Sequence, residues 1–138
     1  MDKIQSLKGM IDLIANRSDP DDFAESIFRT EDALKNIFIN FGYSEIRTPT
    51  LEDADLFKRS VGDSSDIVNK ELYSFLDKNE KNITLRPENT AGVIRSVIEK
   101  KIDVNTHKFW YLGPMWRYER PQKGRYRQFN QAGIEIIG

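Results

Sequence analysis

The sequence predicts an α+β fold, an antiparallel sheet flanked by helices, and three stretches carry that expectation. Residues 109–119 and 127–137 are rich in aromatic and β-branched side chains. Between them lie Arg120, Pro121, Gln122, Lys123, Gly124, Arg125 and Tyr126, the composition of a long hairpin loop. Phe23, Ile27, Leu34, Ile37, Phe38 and Phe41 recur at helical spacing. Two further β-prone runs, 72–76 and 83–86, bracket a polar turn and lead into a second helical pattern through Ile94, Val97, Ile98 and Ile102.

Each element has a local cause. Asp19 is placed to cap the first helix, Pro20 suits its first turn, the acids at 21 and 22 face the positive end of its dipole, and Gly42 stops it. Residues 54–59 read as a short helix followed by a glycine-serine loop at 62–65. Pro87 opens the last helix, with Glu88 in its first turn, where an acid is favourable whatever else it does. Residues 1–17 carry only a short apolar pattern.

Composition bounds the function. At 138 residues and 38% hydrophobic the chain can bury one modest core. With no cysteine there is neither disulfide nor thiolate metal site, which fits a reducing cytoplasm. No apolar run approaches the roughly 20 residues that span a bilayer, and residues 1–23 lack a signal-type apolar segment. The sequence stops after Ile136-Ile137-Gly138 without a cap or polar tail, so a fragment of a larger domain is expected. No phosphate-binding G-x-x-x-x-G-K-[ST] loop and no metal-ligand spacing occurs, and the single histidine, His107, reads as a strand-end or surface residue.

Between Lys108 and Arg127 six basic residues oppose Glu119 alone, a local +5 on a chain of net charge −1. Such a hairpin suits an anion such as phosphate, or is simply solvated. Strand parity sorts its side chains. Trp110, Leu112, Trp116, Tyr118, Ala132, Ile134 and Ile136 form a face apolar enough to be core. Arg117, Glu119, Phe129, Gln131 and Glu135 share the other with Gly113, Met115 and Gly133.

The ordered run 117–131, RYERPQKGRYRQFNQ, closed by Gly133-Ile134-Glu135, closely resembles motif 2 of the class II aminoacyl-tRNA synthetases in its histidyl form. Leu85-Arg86-Pro87-Glu88-Asn89-Thr90-Ala91-Gly92 resembles the segment with which histidyl enzymes hold the substrate amino group. The helix before Gly42, with the following strand and Pro49, resembles motif 1, through which these enzymes form homodimers. Lys8-Gly9-Met10-Ile11-Asp12-Leu13 resembles their usual start. The resemblance implies a class II synthetase-like sheet, incomplete at residues 1–138. These would be the N-terminal portion of a catalytic domain with motifs 1 and 2, lacking motif 3 and the anticodon-binding domain.

It also implies a cytoplasmic histidine–tRNA ligase using ATP, with Mg2+ expected, and acting on tRNA(His). The ATP residues would be Arg117, Glu119, Arg125 and Phe129, and the histidine residues Glu88, Asn89, Thr90, Arg117, Gln131 and Glu135. Arg117 would be the catalytic clamp, because a guanidinium bridges a carboxylate and a phosphate with planar paired bonds. No resident metal site is implied. Such a fragment alone is expected to be weak or inactive. Asn130 departs from the histidine of many bacterial relatives, and parity turns it away from the site. The alternative is the synthetase-like regulatory subunit of ATP phosphoribosyltransferase; the full Arg-Pro-Gln-Lys-Gly order and Leu85–Glu88 favour the enzyme.

Overall fold

The computed structural model describes residues 2–62, 70–103 and 105–138. In chain order these give α1 (Phe23–Asn40), β1 (Ser44–Glu45), β2 (Leu51–Asp53), α2 (Ala54–Val61), β3 (Tyr73–Leu76), β4 (Asn82–Leu85), α3 (Thr90–Glu99), β5 (His107–Trp116) and β6 (Gln128–Ile137). The class is α+β, as expected, but the strands form two three-stranded sheets rather than one. In the order β1-β5-β6, β1 runs parallel to β5 while β5 and β6 are antiparallel; β2-β4-β3 is antiparallel throughout. The second sheet and α3 intervene between β1 and β5, a crossover long enough to bring the chain back in the same direction.

Several boundaries differ from the sequence expectation, each for a local reason. The N-cap of α1 is Asp22, whose carboxylate accepts from the Glu25 N–H at 3.0 Å. Asp19 is spent on the Asp21 N–H in the preceding turn. Gly42 ends the helix as expected: at φ +80° it lets its own N–H reach the Ile39 carbonyl and that of Tyr43 reach Phe38. Helix α3 starts at Thr90, not Pro87, because residues 86–89 are held across two sheets: the Arg86 N–H bonds Thr50 and its carbonyl takes the Trp116 N–H. The glycine-serine loop expected near 62–65 falls mostly outside the described residues.

The long hairpin keeps parity register, with Phe109 opposite Glu135, Tyr111 opposite Gly133, Gly113 opposite Gln131 and Met115 opposite Phe129. It ends earlier than expected. Past Trp116 one bond joins Arg117 to Arg127, and then Tyr118 turns to the Glu71 carbonyl, so Arg117 and Glu119 lie in the loop, not on the strand. The burial of its faces also departs from expectation. On the odd face Met115 is 0% and Tyr111 6% exposed, whereas Ile134 and Ile136 on the apolar even face are 45% and 62% exposed. Segment 86–90 covers the odd face; α1 covers the even face only as far as Phe38 on Trp110 (ring centroids 5.8 Å) and Glu31 on Asn130.

Candidate functional site

Segment 86–90 meets the odd face through a chain of polar bonds. The Arg86 guanidinium is buried, donating from Nε to the Pro114 carbonyl (2.9 Å) and from Nη1 to the Thr48 carbonyl (3.1 Å). Burial lowers its pKa and nearby Glu52 opposes that. Thr48 Oγ1 donates to Asn89 Oδ1 at 2.6 Å, and the Asn89 N–H donates to Gln131 Oε1 at 3.1 Å. Thr90 Oγ1 donates to Glu135 Oε1 at 2.5 Å. Glu88 accepts from the Ala91 N–H at 3.2 Å, satisfying the first turn of α3.

Two glycines make this arrangement possible. A Cβ at Gly113 would stand 2.8 Å from Arg86 Nη2, and one at Gly133 would stand 2.3 Å from the Tyr111 hydroxyl. Neither side chain could cross the ladder over a larger residue. Arg117 closes the group: its Nε donates to the Pro87 carbonyl at 2.9 Å and its guanidinium lies 5.2 Å from the centre of the Phe129 ring.

Of the residues singled out by sequence, Glu88, Thr90, Arg117, Phe129, Gln131 and Glu135 are therefore gathered where segment 86–90 crosses the hairpin. Asn89 enters by its backbone, its side chain being turned inward to Thr48. Glu119 lies at the loop base, its carbonyl accepting from Arg127 Nε (3.0 Å). Arg125 sits in the exposed tip, where Gln122 and Arg125 close a tight turn and Gly124 takes φ +79°. Arg127 fixes that base, stacking on Tyr118 at 4.0 Å and taking the Gly9 carbonyl on its N–H. Asn130 points to α1, away from the site. His107 opens β5, bonded to Asp103.

Thr48, Arg86 and Tyr111 were not singled out for a role. The signal available for them was the pair of glycines on one face of a strand pattern, where a glycine marks close approach. Two cavities open on the two sides of the hairpin. An apolar one of about 410 Å³ lies under α1 among Ile11, Phe23, Leu34 and Ala132. A polar one of about 310 Å³ lies among Thr48, Arg86, Asn89 and Gly113. Neither is lined by Arg117, Thr90 or Glu135, although Phe129 borders the apolar one. Among the described residues, no three His, Asp or Glu gather as a metal site, and no helix is long and apolar enough to cross a membrane.

The comparisons with known proteins agree on one family. A family profile described as histidyl-tRNA synthetase matches residues 18–138. The chain is 51% identical over 140 residues to the histidine–tRNA ligase of Legionella pneumophila (strain Lens), covering all of this chain and 31% of that protein. It is 51% identical over 137 residues to that of a Nitratiruptor species, covering 98% and 32%. The chain thus spans about a third of the length of these relatives. Apo histidyl-tRNA synthetase of S. aureus superposes with TM-score 0.71 at 37% identity, over 96% of this chain and 28% of that one. A protein titled ATP phosphoribosyltransferase regulatory subunit/histidyl-tRNA synthetase, from Bacillus halodurans C, superposes at 0.76 with 26% identity, over all of this chain and 34% of that one. With the profile covering all but the first residues and the hairpin face built as described, the chain belongs to the histidyl-tRNA synthetase family.

Proposed function

We propose that the chain is the front part of the catalytic domain of a cytoplasmic histidine–tRNA ligase, which activates histidine with ATP and transfers it to tRNA(His). The observation that carries this is the junction at Arg117, where a guanidinium is held between the Pro87 carbonyl and the Phe129 ring, with the Thr90–Glu135 pair further along the same face of the hairpin. In the reaction the histidine carboxylate attacks the α-phosphorus and pyrophosphate leaves, giving histidyl-adenylate; the tRNA hydroxyl then takes the acyl group and AMP leaves. No protein nucleophile is needed, so positioning and charge stabilisation do the catalysis.

Arg117 would bridge the carboxylate and α-phosphate. Phe129 would stack on adenine beside Glu119, and Arg125 would meet the outer phosphates. Glu88, Thr90, Gln131 and Glu135 would receive the amino acid, with Asn89 shaping the pocket through its backbone. Magnesium enters as part of the Mg-ATP substrate, held mainly by phosphate oxygens and water. A homodimer formed through α1 and β1 fits the motif 1 resemblance. The B. halodurans relative keeps the regulatory-subunit reading as the alternative.

Arg117→Ala in the complete gene product separates the two. A ligase loses histidine-dependent ATP–pyrophosphate exchange by roughly 100-fold or more. A regulatory protein shows no such exchange even as wild type.

A further inference from the structure

We propose that Tyr111 is a positioning residue for amino-acid recognition: its hydroxyl, with that of Thr90, fixes the Glu135 carboxylate with one oxygen turned to the substrate. The inference rests on the proposed function, and specifically on Glu135 belonging to the histidine pocket.

Both hydroxyls address the same atom. Thr90 Oγ1 donates to Glu135 Oε1 at 2.5 Å, and Tyr111 Oη lies 3.4 Å from that same Oε1. Glu135 Oε2 has no hydrogen-bond partner among the described residues, so the carboxylate is oriented by one oxygen and left to accept through the other. The two donors approach from different elements, Thr90 from the start of α3 and Tyr111 from the middle of β5, so the orientation is fixed in two directions. The longer contact is of the kind that tightens when a ligand draws the carboxylate into place.

The Tyr111 phenol keeps its proton at neutral pH and so can donate to the carboxylate. Burial, then the negative charges of Glu135 and Glu88, push its phenol above the ordinary tyrosine value, while the Thr90 hydroxyl works the other way. Its ring is fixed by register, lying directly across Gly133, where a Cβ would come within 2.4 Å of Cζ. A phenylalanine would fill the same space, so the hydroxyl is the one feature of this buried residue that packing leaves unexplained. Tyrosine hydroxyls that are buried find a partner, and this one finds the candidate substrate pocket rather than the backbone.

The test is a double-mutant cycle in the complete gene product, with Tyr111→Phe, Glu135→Gln and the pair, read by histidine-dependent ATP–pyrophosphate exchange at varied histidine and ATP. Tyr111→Phe is expected to raise KM for histidine roughly tenfold, with KM for ATP within about twofold and the melting temperature unchanged. In the Glu135→Gln background the same change should add less than about twofold, because the residue acts through the lost carboxylate. An unchanged histidine KM overturns the proposal. So does an equal rise for both substrates with a lowered melting temperature, which would make Tyr111 scaffold, and so does full additivity with Glu135→Gln. A wild-type protein without exchange instead removes the ligase reading, and the proposal with it.

Discussion

The two faces of the β5–β6 hairpin share one ladder and one set of backbone bonds, yet they are buried for opposite reasons. The odd face is polar and holds two glycines, and it is the covered one: Arg86 and Tyr111 lie across Gly113 and Gly133, and segment 86–90 sits on top. The even face is apolar, and α1 covers only the part near Trp110 and Asn130, leaving Ile134 and Ile136 exposed. Burial here follows where the chain delivers a partner segment, and hydrophobicity of the face is secondary. A buried polar face is tolerable when its groups are bonded. Among the described residues no buried side-chain nitrogen or oxygen lacks a partner.

The comparison breaks most visibly at Arg86. Replacing it with alanine leaves the Pro114 and Thr48 carbonyls without their donor and empties the space over Gly113. The expected loss is about 3 kcal/mol of stability, read by chemical denaturation. If Arg86→Ala melts like the wild type, the odd face is not held together by this joint, and its covered state needs another cause.

Much of this was legible in the sequence because the relevant signals are local. Helix caps, the Gly42 stop, the hairpin loop and the parity of β6 all depend on near neighbours, and they came out within a few residues. Parity put Arg117, Phe129, Gln131 and Glu135 on one face, but that Glu88 and Thr90 join them there was legible only through the resemblance. Nothing in residue spacing says that 86–90 lies on the hairpin. What stayed hidden was relational: that Arg86 and Thr48 form the joint, that Asn89 turns inward, and that Gly133 exists for Tyr111. The even face misled because alternation reports which residues share a side, never what covers that side.

A smaller effect is expected at Gly133. Its alanine would overlap the Tyr111 ring, forcing the phenol aside at about 2 kcal/mol. In a Tyr111→Ala background the added methyl should cost little, and an undiminished cost would place the strain elsewhere. The same phenol gives a pH signature. Its folded pKa is raised by burial above the unfolded value near 10, so its contribution to stability is complete below about pH 10 and is lost as pH rises through the folded value. Tyr111→Phe should reduce that alkaline loss, measured as stability between about pH 9 and pH 11.

The smallest effect belongs to the even face. Ile136 is 62% exposed, so exchanging it for serine removes little apolar area from a covered state. Surface changes of this kind stay within about 0.5 kcal/mol. Its cross-strand partner is Lys108, whose ammonium is engaged with the Phe41 carbonyl and lies 4.5 Å from the Tyr43 ring, so no apolar residue stands directly opposite it. Ile136→Ser should therefore leave melting within a degree or two and leave sedimentation unchanged. A loss above about 1.5 kcal/mol would mean that this face is covered in solution by something outside the described residues. Sedimentation then identifies the cover: a mass that falls to half on substitution assigns it to a second copy, and a constant mass assigns it to the same chain. Either result would make the two faces alike in being buried by a delivered partner, leaving their difference only in the chemistry that each partner meets.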